Sequence, residues 1–238
     1  MAKERLDKLI ASTGRWSRRE VKTLVREGRV LVDGRIVGSA EEKYDAESCC
    51  ITVNGEELVL RRYTYVMLHK PAGVLSATED GRGRTVLDLL TPELRKIGVF
   101  PVGRLDKDTE GLLLLTDDGE LAHTLLSPKK HVDKVYYARV SGRLTPEDCA
   151  AFEAGMTLGD GLECLPAGLE ILAAGETSEC LVTLREGEFH QVKRMLAARG
   201  KPVTYLKRLS MGSLRLDDTL APGEFRLLTA AEEAQLQR

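Results

Sequence analysis

The chain is poor in aromatic residues and histidine. Of its 238 residues, 5% are Phe, Trp or Tyr, one is Trp (Trp16) and four are His. Flat rings for stacking on sugars are therefore scarce, which weighs against a carbohydrate-cleaving enzyme. The five cysteines (Cys49, Cys50, Cys149, Cys164, Cys180) include no C-x-x-C pair. Neither a disulfide framework nor a zinc site is expected, and reduced cytoplasmic thiols are the simpler account. No apolar run approaches the roughly 18 residues needed to cross a bilayer, so no membrane partner is expected. The N-terminus is basic and polar, unlike a secretory signal. What is present suits a folded, soluble protein: 42% hydrophobic residues for a core and 30% charged ones for a surface.

The net charge of −2 hides an asymmetry. Residues 1–35 hold ten Lys or Arg against five Asp or Glu, a local charge of +5, which leaves −7 for the other 203 residues. A basic head on an acidic body points to an anionic partner for the head.

The head reads as two helices and a hairpin. Leu6, Leu9 and Ile10 have helical spacing. Ser17 to Glu20 is a capping box that opens a second helix, Val21, Leu24 and Val25 are its buried stripe, and Gly28 is its stop. Arg29 to Val37 forms two short strands about Asp33-Gly34. Arg15, Arg19, Lys22 and Arg26 are spaced 4, 3 and 4 apart, so a uniformly basic face runs along the second helix. Such a face is ordinarily just solvated, but signs usually alternate along it. With Arg18 beside it, it matches phosphate geometry. Residues 38–62 read as a tail and linker.

The most informative string is GRLDKDTEGLLLLTDDG, Gly103 to Gly119. Asp106 sits in a polar turn before Leu112–Leu115, which read as a buried strand that holds a reactive group rigidly. Arg104, two residues earlier, can keep Asp106 ionised by charge proximity. Two more segments carry polar groups that a core would not explain. Lys134-Val135-Tyr136 enters a strand with Tyr137 and Arg139 on its opposite face, although a strand Tyr is ordinarily core filler with a hydrogen-bonded hydroxyl. Glu186 to Met195 (EGEFHQVKRM) opens a helix with cations at its N-terminal end, against the helix dipole.

Elsewhere in the body, Tyr65–His69 reads as a strand broken by Lys70-Pro71-Ala72-Gly73. Glu79–Arg84 reads as a mobile loop and Val86–Leu90 as a short helix. A helix at Glu120–Leu126 is expected to stop at Pro128, and another, Thr145–Ala154, has Pro at its first turn. Val135–Val140 and Cys180–Leu184 alternate like strands. The stripe Val192, Met195, Leu196, Arg199 reads as a helix capped by Gly200, and Thr229 to Glu232 is a final capping box. Hairpins outnumber β-α-β units, so the fold class is α+β.

These strings resemble the RsuA-type pseudouridine synthases, and residues 3–50 resemble the RNA-binding module named after ribosomal protein S-four. The resemblance covers nearly the entire chain, although His69 and Asp117 stand where Asn is commoner in the family. It implies an S-four-like RNA-binding domain and linker at 1–60, and a catalytic domain with a mixed or antiparallel sheet at 61–238. It implies catalytic roles for Asp106, for Tyr136 against the target base, and for Lys193 as the cation beside Asp106, with Arg194 as the alternative. His190, Gln191, Arg104 and Arg194, with Arg15, Arg18, Arg19, Lys22 and Arg26 in the head, are the implied RNA contacts.

The implied reaction isomerises one uridine to pseudouridine without cofactor or metal. The carboxylate serves as nucleophile or as a base that drives elimination. The partner implied is 16S ribosomal RNA, at the uridine-516 position of a small-subunit assembly intermediate, with the enzyme a monomer. The His190–Met195 wording favours that branch over large-subunit synthases, and no basic stretch follows the last capping box. Two rivals remain. One is a glycoside hydrolase using Asp106, Asp108 and Glu110. The other is a non-catalytic RNA-binding or ribosome-assembly protein.

Overall fold

The computed structural model describes residues 3–46, 48–81, 83–127 and 130–236. The chain divides into two compact units, Met1–Thr64 with Leu90–Val99, and Tyr65–Leu89 with Phe100–Arg238.

In the first unit, β1 (Glu4–Arg5) leads into α1 (Leu6–Ala11), and α2 (Arg18–Arg26) follows. Ser17 and Glu20 form both halves of the expected capping box, and Gly28 closes the helix with a positive φ. Strands β2 (Val30–Val32) and β3 (Arg35–Ile36) flank Asp33-Gly34, where both residues have positive φ, as the favoured two-residue hairpin turns require. The expected linker at 38–62 is instead structured. β4 (Lys43–Tyr44) pairs with β1, while β5 (Ile51–Val53) and β6 (Glu56–Glu57) complete a four-stranded sheet in the order β3-β2-β5-β6. These strands are too short for a two-residue period to register, although Asn54-Gly55 between β5 and β6 is a hairpin turn with both φ positive. Leu6, Ile10, Val21, Val30, Ile51 and Val53 form a core with no exposed surface. A further helix, α3 (Pro92–Ile97), belongs to this unit.

The second unit is built on a nine-stranded sheet. Its first half contributes β7 (Tyr65–Lys70), β8 (Phe100–Pro101), β9 (Glu110–Thr116), helix α4 (Gly119–Leu126) and β10 (Lys134–Ser141). Then come α5 (Pro146–Ala154), the small hairpin β11 (Met156–Thr157) and β12 (Glu163–Cys164), β13 (Gly168–Ala173) and β14 (Thr177–Leu184). The chain ends with α6 (Gln191–Ala198), β15 (Val203–Met211), β16 (Leu214–Arg215), β17 (Phe225–Leu227) and α7 (Ala230–Leu236). The order is β13-β14-β10-β15-β9-β7-β17, with β8 on β9 and β16 on β15. Every pairing is antiparallel except β15 with β9, so the sheet is mixed and the class α+β.

The expected strands and helices of the body are present, Val86–Leu89 as a 3-10 turn. Asp118 caps α4 through the Leu121 N–H; Pro128, and Arg82 in the expected loop, lie outside the described residues. Arg199 leaves the stripe of α6 and reaches Asp148 at 2.9 Å. Leu112 to Leu115 have no exposed surface, because β9 lies in the interior of the sheet between β15 and β7.

One glycine permits the central parallel contact. Gly111 has φ +107, and a Cβ there would lie 2.2 Å from the carbonyl oxygen of Arg208. Only a residue without Cβ lets β15 approach β9 this closely. That approach carries Arg208 into the middle of the sheet.

Candidate active site

A cavity of about 670 Å³ is lined by the loop holding Asp106, by Lys134 and Tyr136 of β10, by Arg208 of β15 and by the segment Glu186–His190. The loop is pinned at several points. Ser76 Oγ donates to the Leu105 carbonyl (2.9 Å) and accepts from the Leu105 N–H (3.0 Å), and the Gly73 N–H donates to the Lys107 carbonyl (2.7 Å).

Beneath the loop lies Lys70, fully buried at the end of β7. Its three N–H donors are shared among four carbonyls: Pro71 (3.0 Å), Asp106 (3.0 Å), Lys107 (3.3 Å) and Thr109 (2.9 Å). Burial pushes its pKa down to about 8, against the pull of Asp108, Asp106 and Glu110. Three of the four acceptors belong to the Asp106 turn, so this lysine fixes the backbone that presents the carboxylate. Lys70 is the last residue of β7 rather than part of the break that follows it; no local pattern in the sequence distinguishes it from a surface lysine.

The Asp106 carboxylate is about one quarter exposed and lies 3.0 Å from Lys193 Nζ through one oxygen. Its other oxygen is 3.3 Å from His190 Nε2. Lys193 also donates to Asp108 at 2.5 Å. Burial alone would lower the lysine's pKa, but the hydrogen bonds to Asp108 and Asp106 outweigh it and raise it. Asp108 is held below the usual carboxylate range, first by the Lys193 hydrogen bond. The cation beside Asp106 is therefore Lys193, while Arg194 points to Asp160 at 2.5 Å.

Arg104 does not take the expected position. It is exposed, lines the cavity, and makes no ion pair with Asp106. The Ser76 clamp on Leu105 fixes the backbone between them and leaves the arginine to solvent.

Tyr136 is buried in the cavity wall, on the same face of β10 as Lys134. Among the described residues its hydroxyl has no hydrogen-bond partner, unlike a tyrosine serving as core filler. Tyr137 and Arg139 face the other way and meet Tyr205. His190 adopts the left-handed region (φ 51) and stacks on Phe189 with centroids 3.8 Å apart. Gln191 is buried and hydrogen-bonds Glu186 and the Glu188 N–H. It braces the segment rather than facing solvent.

In the first unit, Arg19, Lys22 and Arg26 are exposed on α2, with Arg15 just before it. The face is less bare than its sequence. Arg15 pairs with Glu56 (2.6 Å) and Lys22 with Glu41 (3.2 Å). Arg18 turns to the buried Asp7 (3.0 Å), which Arg5 also holds.

Residues 64–198 match the family model for RNA pseudouridylate synthase, and residues 4–48 that for the S4 domain. The chain is 50% identical over 229 residues to a Bacillus subtilis protein named uncharacterized RNA pseudouridine synthase YtzG, covering 96% of each. It is 40% identical to the Vibrio cholerae ribosomal small subunit pseudouridine synthase A, covering 98% of this chain and 99% of that one. It is 39% identical to the Bacillus subtilis ribosomal large subunit pseudouridine synthase B, covering 98% and 96%. A solved pseudouridylate synthase superposes with a TM-score of 0.68 at 36% identity, covering 98% of this chain and 99% of that structure.

Proposed function

Because the chain belongs to the RNA pseudouridylate synthase family, we propose that it converts one uridine of 16S ribosomal RNA, the uridine-516 position, to pseudouridine with Asp106 as the reacting carboxylate. It is an RNA pseudouridine synthase carrying an S4 domain. The observation that carries the assignment of Asp106 is its ion pair with Lys193 in an open cavity beside Tyr136.

The reaction breaks the bond between C1′ and the base nitrogen, turns the base, and joins C1′ to carbon 5, which then loses its proton. Asp106 acts on the sugar, as nucleophile at C1′ or as the base that drives elimination. Lys193 sets its ammonium 3.0 Å from the carboxylate, which positions it and complements its negative charge. Tyr136 packs against the detached base and serves the loss of the carbon-5 proton. The target nucleotide leaves its stack at a cost of a few kcal/mol, offset by contacts along the RNA backbone. We assign those contacts to the division at residues 1–60 and to the cavity rim. The protein then works as a monomer in the cytoplasm on a small-subunit assembly intermediate.

The small-subunit relative and the His190–Met195 wording favour 16S RNA. The large-subunit relative is the specific ground for a second reading, a site in large-subunit RNA. Mapping pseudouridines in ribosomal RNA from a deletion strain separates them. Loss of one 16S site supports the proposal, loss of a large-subunit site transfers it, and an unchanged map rejects both.

A further inference from the structure

The same cavity contains two buried cations that the reaction does not use. Lys134 is 7% exposed and Arg208 2%, on the adjacent strands β10 and β15. Neither has a carboxylate within ion-pair reach among the described residues. Among the described residues, the one hydrogen bond of the Lys134 ammonium goes to the Val132 carbonyl (3.2 Å). Arg208 Nε donates to the Leu112 carbonyl (2.8 Å), while its buried Nη2 has no partner among the described residues. The acids nearest in effect are engaged elsewhere: Asp133 holds Arg185 at 2.9 Å, and Glu186 accepts from the Leu165 N–H and from Gln191. Burial, and then the Arg208 charge, push Lys134 below the ordinary lysine value. Exposed Arg104, also unpaired among the described residues, lines the same cavity.

Two adjacent buried charges without a counter-ion are costly, and a buried guanidinium N–H without a partner, on a residue that lines a cavity, calls for an acceptor. We propose that Lys134 and Arg208 form a phosphate subsite, which takes the phosphodiester flanking the uridine that enters beside Asp106. A base carbonyl would satisfy the spare N–H but would leave both charges uncompensated. A phosphate oxygen does both, and the guanidinium fork suits it. The subsite fixes the sugar by its backbone while the base remains free to turn, as the isomerisation requires. This inference rests on the reading that the cavity holds the target nucleotide.

The test titrates the full-length protein with uridine, uridine 5′-monophosphate and uridine 3′-monophosphate by calorimetry. One monophosphate is expected to bind about tenfold or more tighter than uridine, the scale of hydrogen bonds to a charged group. The two arms tell which flanking phosphate is held. Lys134→Gln and Arg208→Gln should each cut that advantage to below about threefold while leaving uridine binding unchanged. Lys134→Gln should not lower Tm, because it removes an unpaired buried charge. A residue of purely structural importance would behave oppositely. Where Arg208→Gln fails to fold by circular dichroism, Lys134→Gln decides. Equal binding of all three ligands, no binding at millimolar concentration, or an advantage that survives the substitutions overturns the subsite. Tritium release from carbon-5-labelled total ribosomal RNA of the deletion strain is scored separately. Release without a phosphate advantage rejects the subsite alone; an advantage without release rejects the synthase reading alone.

Discussion

Lys193 Nζ lies 3.0 Å from Asp106 Oδ2 and thereby ties α6 to the loop that precedes β9, 87 positions earlier in sequence. The ammonium sets a positive charge against the reacting carboxylate and fixes where that carboxylate lies. The pair therefore serves both charge and position, and both can be tested separately.

Asp106→Asn keeps the shape of the side chain and removes its charge. Folding and RNA affinity should be retained, and tritium release from carbon-5-labelled RNA should disappear. Residual turnover within about tenfold of the parent would remove Asp106 from the chemistry, since a required nucleophile or base contributes more than that.

Lys193→Met should lower single-turnover rates by about a hundredfold, the scale for a lost charge-stabilising contact. Lys193 has two acidic partners, so a control is needed. Asp108→Asn removes the 2.5 Å contact and leaves the 3.0 Å one. It should cost less than about tenfold, because the Asp108 side chain is 75% exposed and an exposed pair contributes little. A larger loss for Asp108→Asn than for Lys193→Met would shift the functional pair to Asp108.

The residues named so far were legible because each lies in a long local string: Asp106 in a turn before four leucines, Tyr136 at a strand entry, Lys193 at a helix start. Lys70, and the unpaired state of Arg208, were not legible. Lys70 becomes a buried four-carbonyl hub only once the Asp106 turn folds over the end of β7. Arg208 is buried by the parallel contact of β15 with β9, which depends on Gly111 nearly a hundred residues away. β15 itself lacks a clean two-residue alternation, since its pairing with β10 shifts register twice. The head was read correctly through its helices, and incompletely through 38–62, where two- and three-residue strands carry no period.

Lys70 predicts opposite pH trends for activity and stability. Its pKa in the fold is about 8, against 10.5 when unfolded. Between these values the unfolded chain holds a proton that the folded chain has released, so this lysine's contribution to stability rises with pH across that window. Activity should fall across the same range, because the neutral amine loses its charge and one of its three N–H donors, so its hold on the four carbonyls weakens and the Asp106 turn loosens. An alkaline limb near pH 8 is expected in kcat. In Lys70→Met the limb should vanish, at a rate lower by about a hundredfold, the scale for small misplacements of a reacting group. A limb that persists in Lys70→Met assigns it to another group.

Gly111→Ala tests the route by which Arg208 reaches the cavity. The added methyl meets the Arg208 backbone at a left-handed φ, so β15 must retreat from β9. Loss of several degrees in Tm is expected, about 1–3 kcal/mol for overpacking with backbone strain. A Tm unchanged within error would show that the two strands have slack at this point.

The basic face of the first unit makes the last prediction. Leu90–Val99 groups with that unit, so substitution within the full chain is a cleaner test than deletion of residues 1–60. Each lost phosphate contact removes about 0.7 to 0.9 from the slope of log affinity against log salt. Changing Arg15, Arg19, Lys22 and Arg26 together to Gln should therefore reduce the slope by roughly 3. The ion pairs of Arg15 with Glu56 and of Lys22 with Glu41 do not protect these residues from RNA. Both are exposed, and exposed pairs contribute little, less than a phosphate can return. The apolar stripe Val21, Leu24, Val25 is untouched, so melting of the unit should not change. Turnover at saturating RNA should fall little, because Asp106, Tyr136 and Lys193 all belong to the other unit. A maximal rate that falls with the slope would mean that the face also orients the RNA. An unchanged slope with full affinity would mean that the face binds something other than this RNA.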